Sequence, residues 1–198
     1  MVGGPRYSLP FRRRREGKTD YKLRLGLIRS GRPRAVVRTS NRYICVQIVE
    51  ARPYGDLVKA AASSKELAKL GWKGGSGNLP SAYLTGVLAG RRALARGVRD
   101  AILDIGLRPS TKGSRLYAAL KGLADAGLQI PHSDKALPSP ERLGGAHIAA
   151  YAKNLLSESG DLYKRRFSGY LSKGLRPEEL SSHFEQVKVQ IQSLKEEA

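Results

Sequence analysis

The first 42 residues carry thirteen Lys/Arg against two acids, Glu16 and Asp20, and no apolar periodicity runs through them before Tyr21. Alone, the arm up to Tyr21 cannot bury enough apolar surface to offset the entropy of ordering it. It is therefore expected outside any core, as a basic arm that is disordered when free and ordered on a partner. The basic and aromatic residues up to Tyr21 are Arg6, Tyr7, Phe11, the run Arg12-Arg13-Arg14-Arg15, Lys18 and Tyr21. Arginine forks match phosphate oxygens bidentately. The rings of Tyr7, Phe11 and Tyr21 suit stacking on bases or sugars.

The whole chain of 198 residues has 36 Lys+Arg against 17 Asp+Glu, a formal charge of +19. A surplus this large favours a polyanion, either nucleic acid or an anionic membrane, over a neutral small-molecule substrate. Residues 43–140 hold fourteen basic and seven acidic side chains, and residues 141–198 hold nine and eight. The sequence divides accordingly into a basic arm over 1–30, an α/β core domain over 31–131, and a linker with a helical extension over 132–198. The single cysteine, Cys45, excludes an intramolecular disulfide and a Cys-based zinc site, and points to a reducing compartment. No apolar run follows the early arginines, so a signal peptide is not expected. The longest uncharged run, residues 74–90, is broken by glycines, Asn78 and Pro80, a poor membrane span. The arm also lacks the apolar face of a membrane-surface helix. The expectation is a soluble, cytoplasmic protein with no membrane partner.

Apolar periodicity sketches the body. A short helix is expected over 20–29. Strands over 34–38 and 43–50 are joined by Thr39-Ser40-Asn41-Arg42 as a hairpin, with a third strand over 56–62. A short helix over 64–70 leads into a glycine-rich loop, residues 71–78. A helix then starts at Pro80 and stops at Gly97. Its small residues Ala82, Gly86, Ala89, Gly90 and Ala93 predict close packing on a sheet, because interior glycines otherwise weaken a helix. A strand over 98–105, a helix over 114–126 and a short strand over 128–130 complete an α/β pattern with a mixed sheet. Three prolines between 131 and 145 read as the linker. Helices are expected over 146–158 and 177–197. In the latter, Leu180, Phe184, Val187, Ile191 and Leu194 form one apolar stripe, which must be buried on the body or on a neighbour. Because residues 141–198 are nearly neutral, this helix is read as a partner-docking element rather than an RNA grip.

No constellation for catalysis or cofactor binding emerges. The glycine loop lacks the order of a nucleotide-binding loop or a dinucleotide fingerprint, and better fits contact with an RNA backbone through its amides and Lys73. Asp100 and Asp104, if in one strand, share a face about 13 Å apart, too far for a two-metal site. His132, His147 and His183 share no metal-ligand spacing. No metal, cofactor or small-molecule substrate is expected.

Several segments together resemble the universal L-eighteen family of 5S-rRNA-binding large-subunit ribosomal proteins, in its archaeal and eukaryotic form. They are the arm from Pro10 to Tyr21, Gly71-Trp72-Lys73 with Gly77-Asn78-Leu79-Pro80 and Ala82-Tyr83-Leu84-Thr85-Gly86, Leu103-Asp104-Ile105-Gly106-Leu107, Thr111-Lys112-Gly113, and Gly145-Ala146-His147-Ile148. Their order and spacing match over roughly residues 5–152. The resemblance implies an α/β domain with ribonuclease-H-like topology and no catalysis. It implies binding to 5S rRNA and attachment of that RNA to the large-subunit, 23S-type rRNA in the central protuberance, beside neighbouring ribosomal proteins. It assigns RNA contacts to Arg6, Tyr7, Arg12, Arg13, Arg14, Arg15, Lys18, Tyr21 and Arg24. It extends them to Arg38, Asn41 and Arg42 of the hairpin, and to Lys73, Asn78, Lys112 and Arg115. The alternative is a nucleic-acid-processing enzyme on a ribonuclease-H-like fold, which would need a cluster of acids at the strand ends.

Overall fold

In the computed structural model, residue 4 and residues 8–194 are described. Helix α1 (Arg12–Arg15) is a single turn made of the four arginines. Helix α2 (Tyr21–Arg29) is capped by Asp20, whose Oδ1 accepts from the amides of Lys22 and Leu23 at 2.9 and 3.1 Å, an N-cap of the usual kind. Strands β1 (Arg34–Thr39), β2 (Ile44–Arg52) and β3 (Gly55–Ser63) form an antiparallel meander, with a bulge at Ile48/Val49. Strand β4 (Ile102–Asp104) lies parallel to β1, giving the order β3-β2-β1-β4.

The period-2 alternation sets the two faces of this sheet. Cross-strand partners Val37–Val46, Ala35–Ile48, Val46–Ala62 and Ile48–Ala60 share one face, and all of them are buried. Arg34, Val36 and Arg38 share the other face with Asp104, the partner of Val36. Helix α3 (Leu79–Ala95) packs on β2 and β3 and helix α4 (Arg115–Asp125) on β1, covering the apolar face. On the edge strand β3, the carbonyls of Lys59 and Ala61 accept from Arg96 and Arg92 of the α3 terminus, which blunts an edge open to foreign strands.

Asn78 caps α3 by accepting the Ser81 amide at 3.0 Å, and Pro80 sits in its first turn. The glycines inside α3 do have a packing reason, but not the sheet. A Cβ on Gly86 would stand 2.2 Å from the Ala119 carbonyl oxygen of α4, and one on Gly122 of α4 would stand 2.2 Å from that of Tyr83. The glycines let two helices approach closely, on a side of α3 distinct from its contact with β2 and β3.

The strand expected over 98–105 is cut to Ile102–Asp104. Gly97 takes φ 75° after α3, and the Val98 amide still donates to Ala93, so residue 98 belongs to the helix cap. Asp100 makes only an isolated bridge with Gln129. That bridge is all that forms of the strand expected over 128–130. The short helix expected over 64–70 is a 3₁₀ turn, Glu66–Leu70.

Beyond Pro131 the chain makes a 3₁₀ turn (Asp134–Ala136) and helices α5 (Pro140–Leu143), α6 (Ala146–Glu158), α7 (Gly160–Arg166) and α8 (Ser168–Leu171). A 3₁₀ turn (Pro177–Glu179) leads into helix α9 (Leu180–Ser193). Leu143 joins the main core. The stripe read as a docking face is turned inward: Leu180, Phe184, Val187 and Ile191 are buried in the same core as the sheet, with Leu194 packed against it. Helix α9 lies on α3, so these side chains hold the extension to the body and leave no apolar stripe for a neighbour. Helices α6–α8 enclose a second small core of Ala152, Leu155, Tyr163 and Phe167.

Candidate nucleic-acid interface

The polar sheet face carries a chain of alternating charges. Arg24 of α2 donates to both carboxylate oxygens of Asp56 on β3 at 3.0 Å. Asp56 also pairs with Arg34 at 2.6 Å, Arg34 with Asp104 at 2.9 Å, and Asp104 with Arg38 at 2.9 Å. Burial opposes ionisation of Asp104, but Arg38, the Gly106 amide and Arg34 outweigh it and hold its pKa below the usual carboxylate value. This chain ties the arm helix to the polar face of the sheet. Lys18, Thr19 and Leu23 line the seam against Arg38 and Gly106.

The arginine turn projects from this anchor. All four of its side chains are exposed. Arg12 and Lys18 both pair with Glu16 at 2.8 Å, which keeps that carboxylate ionised, and Arg13 donates to Thr19 at 2.8 Å. Among the described residues Arg14 and Arg15 have no side-chain partner. Phe11 and Tyr21 pack on each other with ring centroids 5.1 Å apart, Phe11 remaining largely exposed. Arg6 and Tyr7 lie outside the described residues.

A second group gathers where β1 and β4 end. Arg115, at the start of α4, donates from Nη1 to the carbonyls of Ser40 and Gly77 at 3.1 and 2.7 Å. Ser76 Oγ donates to the Arg42 carbonyl at 2.9 Å, and Arg108 to that of Thr39 at 3.0 Å. The β1–β2 turn, the glycine loop and the 106–113 loop are thereby held together. Gly77 permits the approach, since a Cβ there would stand 2.7 Å from the Asn41 carbonyl. Asn41, Arg42 and Lys112 are exposed on these loops. Lys73 is exposed as well, its amide donating to His183 Nε2 at 3.1 Å, while Trp72 stacks on the His183 ring.

The structure thus sorts the expected RNA contacts. Arg12–Arg15, Lys18, Asn41, Arg42, Lys73 and Lys112 present side chains to solvent. Arg24, Arg38, Asn78 and Arg115 bind other parts of the chain, Arg38 remaining half exposed. Sequence reasoning missed Arg34 and Arg108, whose partners lie 70 and 69 residues away; only the shared face of Arg34 and Arg38 in an alternating strand hinted at the first. It also gave no role to Tyr54, fully exposed at the β2–β3 hairpin tip.

The carboxylates do not assemble. Asp104 is held by two arginines, Asp100 sits 3.6 Å from Arg32, and among the described residues no three His, Cys, Asp or Glu side chains gather as a metal site. Nor, among those residues, is any helix long and apolar enough to cross a membrane.

A family model described as ribosomal large subunit proteins 60S L5 and 50S L18 matches residues 5–101 and 95–133. The large ribosomal subunit protein uL18 of Aeropyrum pernix is 57% identical over 193 residues, covering 97% of this chain and 90% of the relative. That of Caldivirga maquilingensis is 53% identical over 192 residues, covering 96% and 93%.

Proposed function

The chain belongs to the family of ribosomal large-subunit proteins 60S L5 and 50S L18, and from this we infer that it binds 5S rRNA and holds it against the large-subunit rRNA in the central protuberance. Proteins of this family are structural parts of the cytoplasmic ribosome, bind rRNA and are not enzymes. The observation that carries the reading is the exposed arginine turn Arg12–Arg15, anchored beside a polar sheet face through Arg24 and Asp56. A mobile arm would contribute only diffuse attraction. An arm pinned at α2 aims its charges along one face, where phosphates of a folded RNA can meet them together. Exposed Asn41, Arg42 and Lys112 extend that surface along loops held rigid by Arg108 and Arg115. Contacts to backbone then fix register, and the ordered loops read RNA shape.

The test is recovery of the protein from its native cells under mild salt, followed by sequencing of the RNA that comes with it. 5S rRNA enriched over all other small RNAs is the expected result. Recovery of large-subunit rRNA fragments without 5S rRNA contradicts the reading.

A further inference from the structure

We propose that the α7–α8 segment is a second RNA-backbone-binding surface, separate from the arm, and that it takes the large-subunit rRNA while the arm side takes 5S rRNA. The proposal rests on the two-RNA reading above and assigns its second half to residues.

Residues 141–198 are nearly neutral as a whole, but the charge within them is not spread evenly. Residues 160–176 hold Lys164, Arg165, Arg166, Lys173 and Arg176 against one acid, Asp161. All five cationic side chains are exposed, and among the described residues none makes an ion pair or a side-chain hydrogen bond. On the sheet face, by contrast, Arg24, Arg34 and Arg38 are all ion-paired, sharing Asp56 and Asp104 between them. Uncompensated like charges repel and cost stability, and an ordinary solvated face mixes signs; a cluster of one sign is what a polyanion rewards.

These side chains stand on a packed element. Tyr163, Phe167 and Tyr170, spaced 4 and 3 apart, meet ring on ring, with centroids 5.5 Å apart for the first pair and 5.8 Å for the second. The Tyr163 hydroxyl donates to Glu178 at 3.1 Å, and Asn78 donates to that of Tyr170 at 3.2 Å. The basic groups therefore keep fixed relative positions, as backbone recognition of a folded RNA requires.

The layering separates this surface from the first. Helix α2 reaches Asp56 on the polar sheet face, while α9 lies on α3, across the apolar face, and α6 joins α9 to α7. The Asn78–Tyr170 bond seats α8 at the glycine loop, at the β1–β2 end of the meander, whereas α2 is anchored at Asp56, at the β2–β3 end.

The full-length protein with Lys164→Ala, Arg165→Ala and Arg166→Ala tests this, beside a second variant, Lys173→Ala with Arg176→Ala, and an arm variant with Arg12–Arg15 changed to Ala. Each is checked by circular dichroism, then titrated separately with 5S rRNA and with deproteinised large-subunit rRNA. The α7 variant should keep its affinity for 5S rRNA. It should bind large-subunit rRNA about tenfold more weakly, with a salt slope smaller by about 2–3, near 0.9 per lost phosphate contact. The Lys173→Ala, Arg176→Ala variant should shift the same way by less, and the arm variant should show the reverse selectivity. Equal loss on both RNAs means one continuous site and overturns the proposal. No loss on either, in variants that are folded, means a solvated surface or a protein contact and also overturns it. A wild-type protein that ignores 5S rRNA but binds large-subunit rRNA through Lys164, Arg165 and Arg166 sinks the 5S reading and leaves this assignment standing.

Discussion

Arg34 and Asp104 face each other across the parallel strands β1 and β4, Nη1 lying 2.9 Å from Oδ2, with side chains only 4% and 6% exposed. The pair closes the junction between the meander and the crossover strand. It is also the middle of the charge chain that begins at Arg24 on the arm helix. A buried pair of this kind adds little net stability over an apolar one, but losing Asp104 leaves the buried Arg34 with Asp56 alone to balance it and unpairs one side of its guanidinium.

Asp104→Asn should therefore destabilise the protein by about 3 kcal/mol, the low end for a broken buried pair, because Arg38 keeps one face in water. Denaturant unfolding monitored by Trp72 fluorescence measures this. A loss under half a kilocalorie contradicts the assigned role.

The same carboxylate sets a pH dependence. Its native pKa lies below the ordinary value, so the unfolded chain takes up the proton first as pH falls. Its contribution is complete above the unfolded pKa of about 3.9 and is lost as pH drops through the lower native value. Stability should fall on acidification below about pH 4, and Asp104→Asn should flatten that limb. A variant with an unchanged acid limb would show that other carboxylates carry it.

Gly86→Ala should destabilise despite the gain of about 1 kcal/mol in helix propensity. The added methyl meets a backbone carbonyl, Ala119, which cannot swing aside as a side chain tip could. Thermal melting is the measurement. Gly26 of α2, with open space around it, is the control, and there alanine should stabilise.

Phe184→Glu or Ile191→Glu should unfold or strongly destabilise the chain, since each puts a carboxylate into the main core. Truncation to alanine should cost about 3–5 kcal/mol at Phe184 and about 2–5 kcal/mol at Ile191. A folded Phe184→Glu protein that only fails to assemble into subunits would restore the docking role that the inward-facing stripe rules out.

Much of this architecture was legible because local chemistry and global packing agree. Pro80 marks the start of α3, Gly97 its end, and Thr39-Ser40-Asn41-Arg42 the link between β1 and β2. The resemblance carried by the arm and by Gly71–Gly86 pointed to the correct family. The misreadings have physical causes. Val98 looked like a strand residue by its neighbours, but its amide closes the preceding helix cap. Helices α7 and α8 were hidden under Lys164-Arg165-Arg166, although Tyr163, Phe167 and Tyr170 carried the helical spacing. The neutral total of the extension masked its basic centre. The occupancy of Arg24, Arg38 and Arg115 depends on contacts 32 to 75 residues away, which no local window contains.

The central claim is selective binding of 5S rRNA through an anchored basic surface. Its most direct test is the dissociation constant of the full-length protein for 5S rRNA and for an unrelated structured RNA of equal length, each across a salt series. The account predicts tighter binding to 5S rRNA at every salt concentration, with affinity for both falling steeply as salt rises. Equal affinity for the two RNAs, or a 5S affinity indifferent to salt, contradicts it.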